Sequence, residues 1–123
     1  MQKIYEQIIK GIRQYFKNSD FRCGVVGVSG GIDSSLTLKL SVDALGSSQI
    51  TAISMPETGI SSQENMDHAK QLCKALGVTF FYQPINGFLR EFHNLAWKEN
   101  QSAHQNTKAR IRAVLLYNFA NAN

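Results

Sequence analysis

The run Cys23-Gly24-Val25-Val26-Gly27-Val28 is apolar without alternation and stops at Ser29-Gly30-Gly31. A short apolar run of this kind suits a strand covered on both faces, the usual condition of a parallel sheet. Behind the turn, Asp33, Ser34 and Ser35 open a segment carrying Leu36, Leu40 and Leu45 and closed by Gly46. Polar residues at the start and glycine at the stop are helix boundary signals. One strand, one tight turn and one helix make a first strand–helix unit.

The unit repeats. Gln49–Ser54 reads as a second strand, and Met55–Ile60, with Pro56 and Gly59, as a loop. Ser61 with Glu64 has the spacing of a capping box for a helix that runs through Leu76 and ends at Gly77. Val78–Tyr82 is the third strand. Ahead of the first strand, Ile4, Ile8, Ile12 and Tyr15 or Phe16 share one helical face, broken at Asn18-Ser19-Asp20. After Pro84 a helix is expected around Gly87–Trp97, then a polar stretch over Lys98–Gln105, then a last helix from about Asn106 to Ala120. This alternation predicts an α/β fold, an open parallel sheet with helices on both faces and the site at the carboxyl ends of the strands.

Composition limits the function classes. The 123 residues suit one domain, 43% hydrophobic and 18% charged, an ordinary globular balance. The net charge of +4 favours anionic ligands, but no dense basic run marks a nucleic-acid face. Cys23 and Cys73 have no metal-ligand spacing and read as buried thiols in a reducing, cytoplasmic setting. No apolar run approaches membrane length. His68, His93 and His104 form no triad or metal set, and Phe88, Phe92 and Trp97 fall at helical spacing that predicts core packing.

The chemistry sits in Gly27-Val28-Ser29-Gly30-Gly31-Ile32-Asp33-Ser34-Ser35. Glycines let backbone N–H groups approach a ligand, and the following helix turns its positive end to the same point. Together they make an anion hole for phosphate, with Ser29, Ser34 and Ser35 as hydroxyl donors. Asp33 would repel phosphate unless a cation such as magnesium lay between them. The alternative is that Asp33 caps the helix. The loop has neither the lysine of the Walker loop nor the Gly-x-Gly-x-x-Gly dinucleotide pattern.

Ser-Gly-Gly-Ile-Asp-Ser-Ser after the first strand resembles the pyrophosphate loop of the N-type ATP pyrophosphatases, and two further segments resemble the NAD synthetases among them. One is Ile53-Ser54-Met55-Pro56-Glu57-Thr58-Gly59-Ile60-Ser61-Ser62, which in that family flanks the adenine. The other is Asn106-Thr107-Lys108-Ala109-Arg110-Ile111-Arg112, similar to the family's Asn-x-x-Ala-Arg-x-Arg signature. The resemblance implies a Rossmann-like, adenine-nucleotide α-hydrolase-like fold and ATP contacts from Gly27, Val28, Ser29, Gly30, Gly31, Ile32, Asp33, Ser34 and Met55. It gives Asp33 and Ser34 catalytic roles, magnesium to Asp33, and deamido-NAD to Arg110. Arg112 lies two residues on and so points elsewhere, toward a helix–helix interface.

The implied reaction is amidation of deamido-NAD to NAD through an adenylate, with ammonia as nitrogen donor and AMP and pyrophosphate released. The implied partners are deamido-NAD and ammonia, and a homodimer or association through an exposed sheet edge; neither a membrane nor a nucleic acid is expected. The family's fourth strand and later ligands have no counterpart, so a single domain over 1–123, incomplete at its C-terminus, is expected, with Gly24–Val28 as an edge. The alternatives are another N-type ATP pyrophosphatase, tRNA-modifying or GMP synthetase-like, and a non-catalytic nucleotide-binding fragment.

Overall fold

The computed structural model describes all 123 residues. The elements are α1 (Gln2–Asn18), β1 (Gly24–Gly27), α2 (Ile32–Leu45), β2 (Ile50–Ser54), α3 (Gln63–Leu76), β3 (Thr79–Tyr82), α4 (Asn86–Arg90) and α5 (Gln101–Ala122), with 3₁₀ turns at Ser47–Gln49 and Glu91–Asn94. The three strands are parallel in the order β1-β2-β3, with Val26 beside Ala52 and Ala52 beside Phe80. Strand β1 is one edge of this sheet and β3 the other.

Alternate residues of the strands feed two separate cores, as the period of two requires. Val28, Leu38, Ile50, Ala52, Ala69, Cys73 and Val78 pack on the face covered by α2 and α3. Ile53, Met55, Ile85 and Leu89 pack on the other face, joined by Val25 and by Ile111, Leu115, Leu116 and Phe119 of α5. Leu38 and Ile85 are wholly buried, each contributing about 2 kcal/mol through removal of apolar surface from water. Both faces are covered, as the unalternated β1 run predicted.

Helix α1 packs on α2 through a stripe that keeps Ile12 and Phe16 of the expected face but takes Tyr5 and Ile9 in place of Ile4 and Ile8. Ile9 is buried, with Tyr5, Ile12 and Phe16 half-buried, while Ile4 and Ile8 are exposed. Both stripes are apolar, and contacts with α2 select between them. The Tyr5 hydroxyl donates to the Asp43 carboxylate, and Arg13 Nε and Nη2 donate to the Ala44 and Asp43 carbonyls at 2.8 and 3.1 Å. Arg13 thereby satisfies carbonyls at the end of α2 that have no helical partner.

Helix α4 stops at Arg90, short of the expected Trp97. Phe88, Phe92 and Trp97 therefore share no helical face and remain 44%, 36% and 68% exposed, against the expected core packing. Helix α5 begins earlier than expected because the Asn100 side chain accepts from Ala103 N at 2.8 Å and sets the start at Gln101. No helix is long and apolar enough to cross a membrane.

The cysteines differ. Cys73 is buried, but Cys23 is exposed, one residue ahead of β1, with its thiol on Gln49 Oε1 at 3.2 Å. Burial raises the Cys73 pKa above the usual thiol value, which keeps it protonated and unreactive. A thiol reagent at pH 8 is therefore expected to modify Cys23 alone in the folded chain. Cys73 should follow only after denaturation, read by peptide mass.

Candidate functional site

The carboxyl ends of β1 and β2 open into a cleft of about 450 Å³. Its walls are Gly27, Val28 and Ser29 from the end of β1, Ser54–Pro56 from the end of β2, Ser61, Ser62, Asn65 and Met66 at the start of α3, and Arg112 and Leu116 of α5. This is the position at which open α/β sheets bind ligands.

The β1–α2 loop is braced by its own serines. Ser34 Oγ accepts from Ser29 N at 3.1 Å, lies 3.1 Å from Ser29 Oγ and donates to Gly31 O at 3.3 Å, while Gly31 N donates to Ser29 Oγ at 3.3 Å. Two of the three hydroxyls expected as phosphate donors, those of Ser29 and Ser34, are thus spent on holding the loop. The backbone N–H groups of Gly30, Ile32, Asp33 and Ser34 have no partner within the chain. They cluster at the positive end of the 14-residue α2. Unpaired N–H groups at a helix start attract an anion.

The two glycines serve different ends. Gly30 has φ +83°, and a Cβ there would lie 1.8 Å from Asn65 O, so its place is dictated by close contact with the first turn of α3. Gly31, the N-cap of α2 at φ −79° and ψ 168°, is in ordinary extended geometry.

Asp33 is in the first turn of α2, and the helix has no side-chain cap, so Asp33 does not act as the cap. Its carboxylate is exposed and enters no ion pair within the chain. No three His, Cys, Asp or Glu side chains converge on a metal position. A single free carboxylate on the helix that begins at the unpaired N–H groups would suit magnesium, which takes one or two carboxylates and keeps its waters.

Among the other expected contacts, Gly27, Val28, Ser29 and Met55 line the cleft together. Gly30–Ser34 continue past its wall, and Ile32 is 84% exposed. Arg110 is exposed and lines a separate groove of about 370 Å³ with Phe88, Glu91 and Phe92. Arg112 does not go to a helix–helix interface. Its Nε donates to Met55 O at 2.8 Å, which turns it onto the cleft. Two residues along a helix change direction by about 200° at 3.6 residues per turn, which separates the two arginines.

The wall formed by the loop after β2 is fastened from several sides. Lys108, one turn before Arg112, forms an ion pair with Glu57, the two side chains being 10% and 13% exposed. The Asn86 amide accepts from Thr58 N at 2.8 Å and donates to Thr58 O at 3.0 Å. Gln83 N and Ile85 N donate to the Ser54 and Pro56 carbonyls. Ser61 Oγ accepts from Glu57 N at 3.0 Å, which takes it from the expected capping box; Ser62 caps α3 instead, accepting from Asn65 N at 3.2 Å. The histidines are peripheral: His68 and His93 are exposed, and His104 Nδ1 lies 2.9 Å from Glu99 Oε1 beside the start of α5.

Known proteins resemble the chain along nearly all of its length. It is 36% identical over 121 residues to the NH(3)-dependent NAD(+) synthetase of Archaeoglobus fulgidus, covering 98% of this chain and 49% of that relative. The solved NH3-dependent NAD synthetase of Campylobacter jejuni, in complex with nitrate, superposes with a TM-score of 0.90 at 34% identity over 98% of this chain and 52% of that one. The glutamine-dependent NAD+ synthetase of Acinetobacter baumannii, in complex with ADP, gives 0.89 at 33% identity over 98% of this chain and 24% of that one. The chain thus spans about half the length of the ammonia-dependent relatives and about a quarter of that glutamine-dependent one. The family model described as NAD synthase matches residues 4–123. With its loop, its strand order and its relatives in agreement, the chain belongs to the NAD synthase family.

Proposed function

We propose that this chain supplies the ATP- and pyrophosphate-binding part of an enzyme that amidates deamido-NAD to NAD. The nicotinate carboxylate attacks the α-phosphorus of ATP and pyrophosphate leaves. Ammonia then attacks the resulting acyl adenylate, giving NAD and AMP. The observation that carries the reading is the row of unpartnered N–H groups at Gly30, Ile32, Asp33 and Ser34, which follows directly on Ser29 in the wall of a cleft of about 450 Å³. Relatives named as NAD synthetases, one of them in complex with ADP, support it.

The chain's own part is positioning and charge complementarity. The free N–H groups receive the departing pyrophosphate. Ser34 holds the loop in the shape that presents them. Met55 and Met66 give the cleft an apolar wall against which a base can lie. Asp33 is the residue that would hold magnesium, which when bound offsets the negative charge of the phosphate oxygens. Arg110 orients deamido-NAD from its own groove, its fork matching phosphate or carboxylate oxygens. A cytoplasmic homodimer completes the proposal.

Two measurements test this reading. Titration with magnesium ATP should move the backbone amide resonances of Gly30, Ile32 and Asp33 most; binding that leaves them in place would sink it. Replacing Asp33 with Asn should weaken nucleotide binding about tenfold or more in the presence of magnesium, with little change in its absence, as expected for loss of one charged ligand. Equal loss under both conditions would remove the metal role.

A further inference from the structure

The cleft is nearly neutral: of its twelve lining residues only Arg112 is ionisable. Arg112 is half-buried, and no carboxylate pairs with it. Its neighbour one turn earlier on α5, Lys108, is neutralised by Glu57. Two cations thus follow one another along one face of the helix, the first with an internal counter-ion and the second without. A half-buried cation with no counter-ion of its own is one that an anionic ligand can pair with. Arg112 is also fixed in direction, since Nε donates to Met55 O at 2.8 Å and no intrachain bond occupies the two terminal amino groups. That leaves the forked geometry that phosphate oxygens accept.

We propose that Arg112 is an anion-binding residue of this cleft, contacting the phosphate chain of the nucleotide from the α5 side of the sheet while the β1–α2 loop contacts it from the α2 side. The assignment rests on the nucleotide reading above and deepens it. It also supplies the side-chain cation that the loop itself lacks. Met55 is tied to the same function through its carbonyl, which fixes the direction of the arginine.

Calorimetric titrations with magnesium ADP, magnesium pyrophosphate and adenosine test the assignment. Arg112→Gln is expected to weaken ADP and pyrophosphate by about 10- to 100-fold, the range for loss of charge-assisted hydrogen bonds, and to leave adenosine unchanged. Arg112→Lys, which keeps the charge but loses the fork and the bond to Met55, should recover part of that loss. In the unaltered chain, phenylglyoxal should modify Arg112 more slowly when magnesium pyrophosphate is present, while Arg110 reacts at the same rate with or without it. This arm is independent of whether any variant folds. Unchanged ADP and pyrophosphate affinity in Arg112→Gln, an equal loss for adenosine, or no protection of Arg112 while the unaltered chain binds ADP would overturn this assignment alone. An unaltered chain that binds neither ADP nor pyrophosphate would overturn the nucleotide reading with it.

Discussion

Gly30→Ala is expected to unfold the β1–α2 loop from α3 and to abolish nucleotide binding. The residue has φ +83°, and an added methyl would sit 1.8 Å from the backbone oxygen of Asn65. The left-handed backbone alone costs an L-residue about 1–2 kcal/mol. The overlap adds about 1–3 kcal/mol as the first turn of α3 is forced away. The clash is with backbone in a capped helix, so no side-chain rotation relieves it. A melting temperature lowered by about 10 °C or more is expected. Gly31→Ala is the control. Its φ of −79° suits any residue, and the nearest atom to an added Cβ is the Ser29 hydroxyl oxygen at 3.3 Å. It should cost under about 1 kcal/mol. Equal melting temperatures for the two variants would refute the account of Gly30.

Lys108→Met is expected to remove about 3–5 kcal/mol of stability, the usual result of leaving one member of a nearly buried ion pair without its partner. Glu57 would remain 13% exposed against α5 with no cation to replace Lys108. The double variant Lys108→Met with Glu57→Leu should recover most of the loss, since an apolar pair of similar volume leaves no uncompensated charge. Urea midpoints for the unaltered chain, the two single variants and the double variant form a closed cycle. Additive losses would mean that the pair is not coupled. The effect should reach the cleft as well, because Glu57 lies on the loop that forms its wall.

Much of the fold was legible because strand and helix signals agreed. The unalternated β1 run, the glycine stops at Gly46 and Gly77 and the polar helix starts fix the α/β alternation, and the structure places α2, α3 and β3 within two residues of those signals. What the pattern could not resolve were choices among equivalent neighbours. Ser61 and Ser62 are both good caps, and the selection depends on Glu57 N claiming Ser61. Ile8 and Ile9 both suit a core face, and contact with α2 decides between them. Phe88, Phe92 and Trp97 have helical spacing, but the helix ends at Arg90 and the spacing loses its meaning.

At the site, the glycine turn after β1 was legible, yet the reason for Gly30 lies in a helix that begins 33 residues later in the chain, at Gln63. Arg112 was missed for a related cause. Its direction depends on the Met55 carbonyl, 57 positions away in sequence. The one available signal was the i, i+4 spacing of Lys108 and Arg112, which puts two cations on one face of α5.

The fastening of Met55–Ser61 has one more consequence. Lys108, Arg112, Asn86 and Ser61 hold that segment through contacts completed when the chain folds. Its configurational freedom is surrendered then, and little remains to be surrendered on meeting a ligand. Such a rim selects by shape: a molecule that fits enters a ready-made socket, and one that needs the rim to yield meets a segment already tethered at each end.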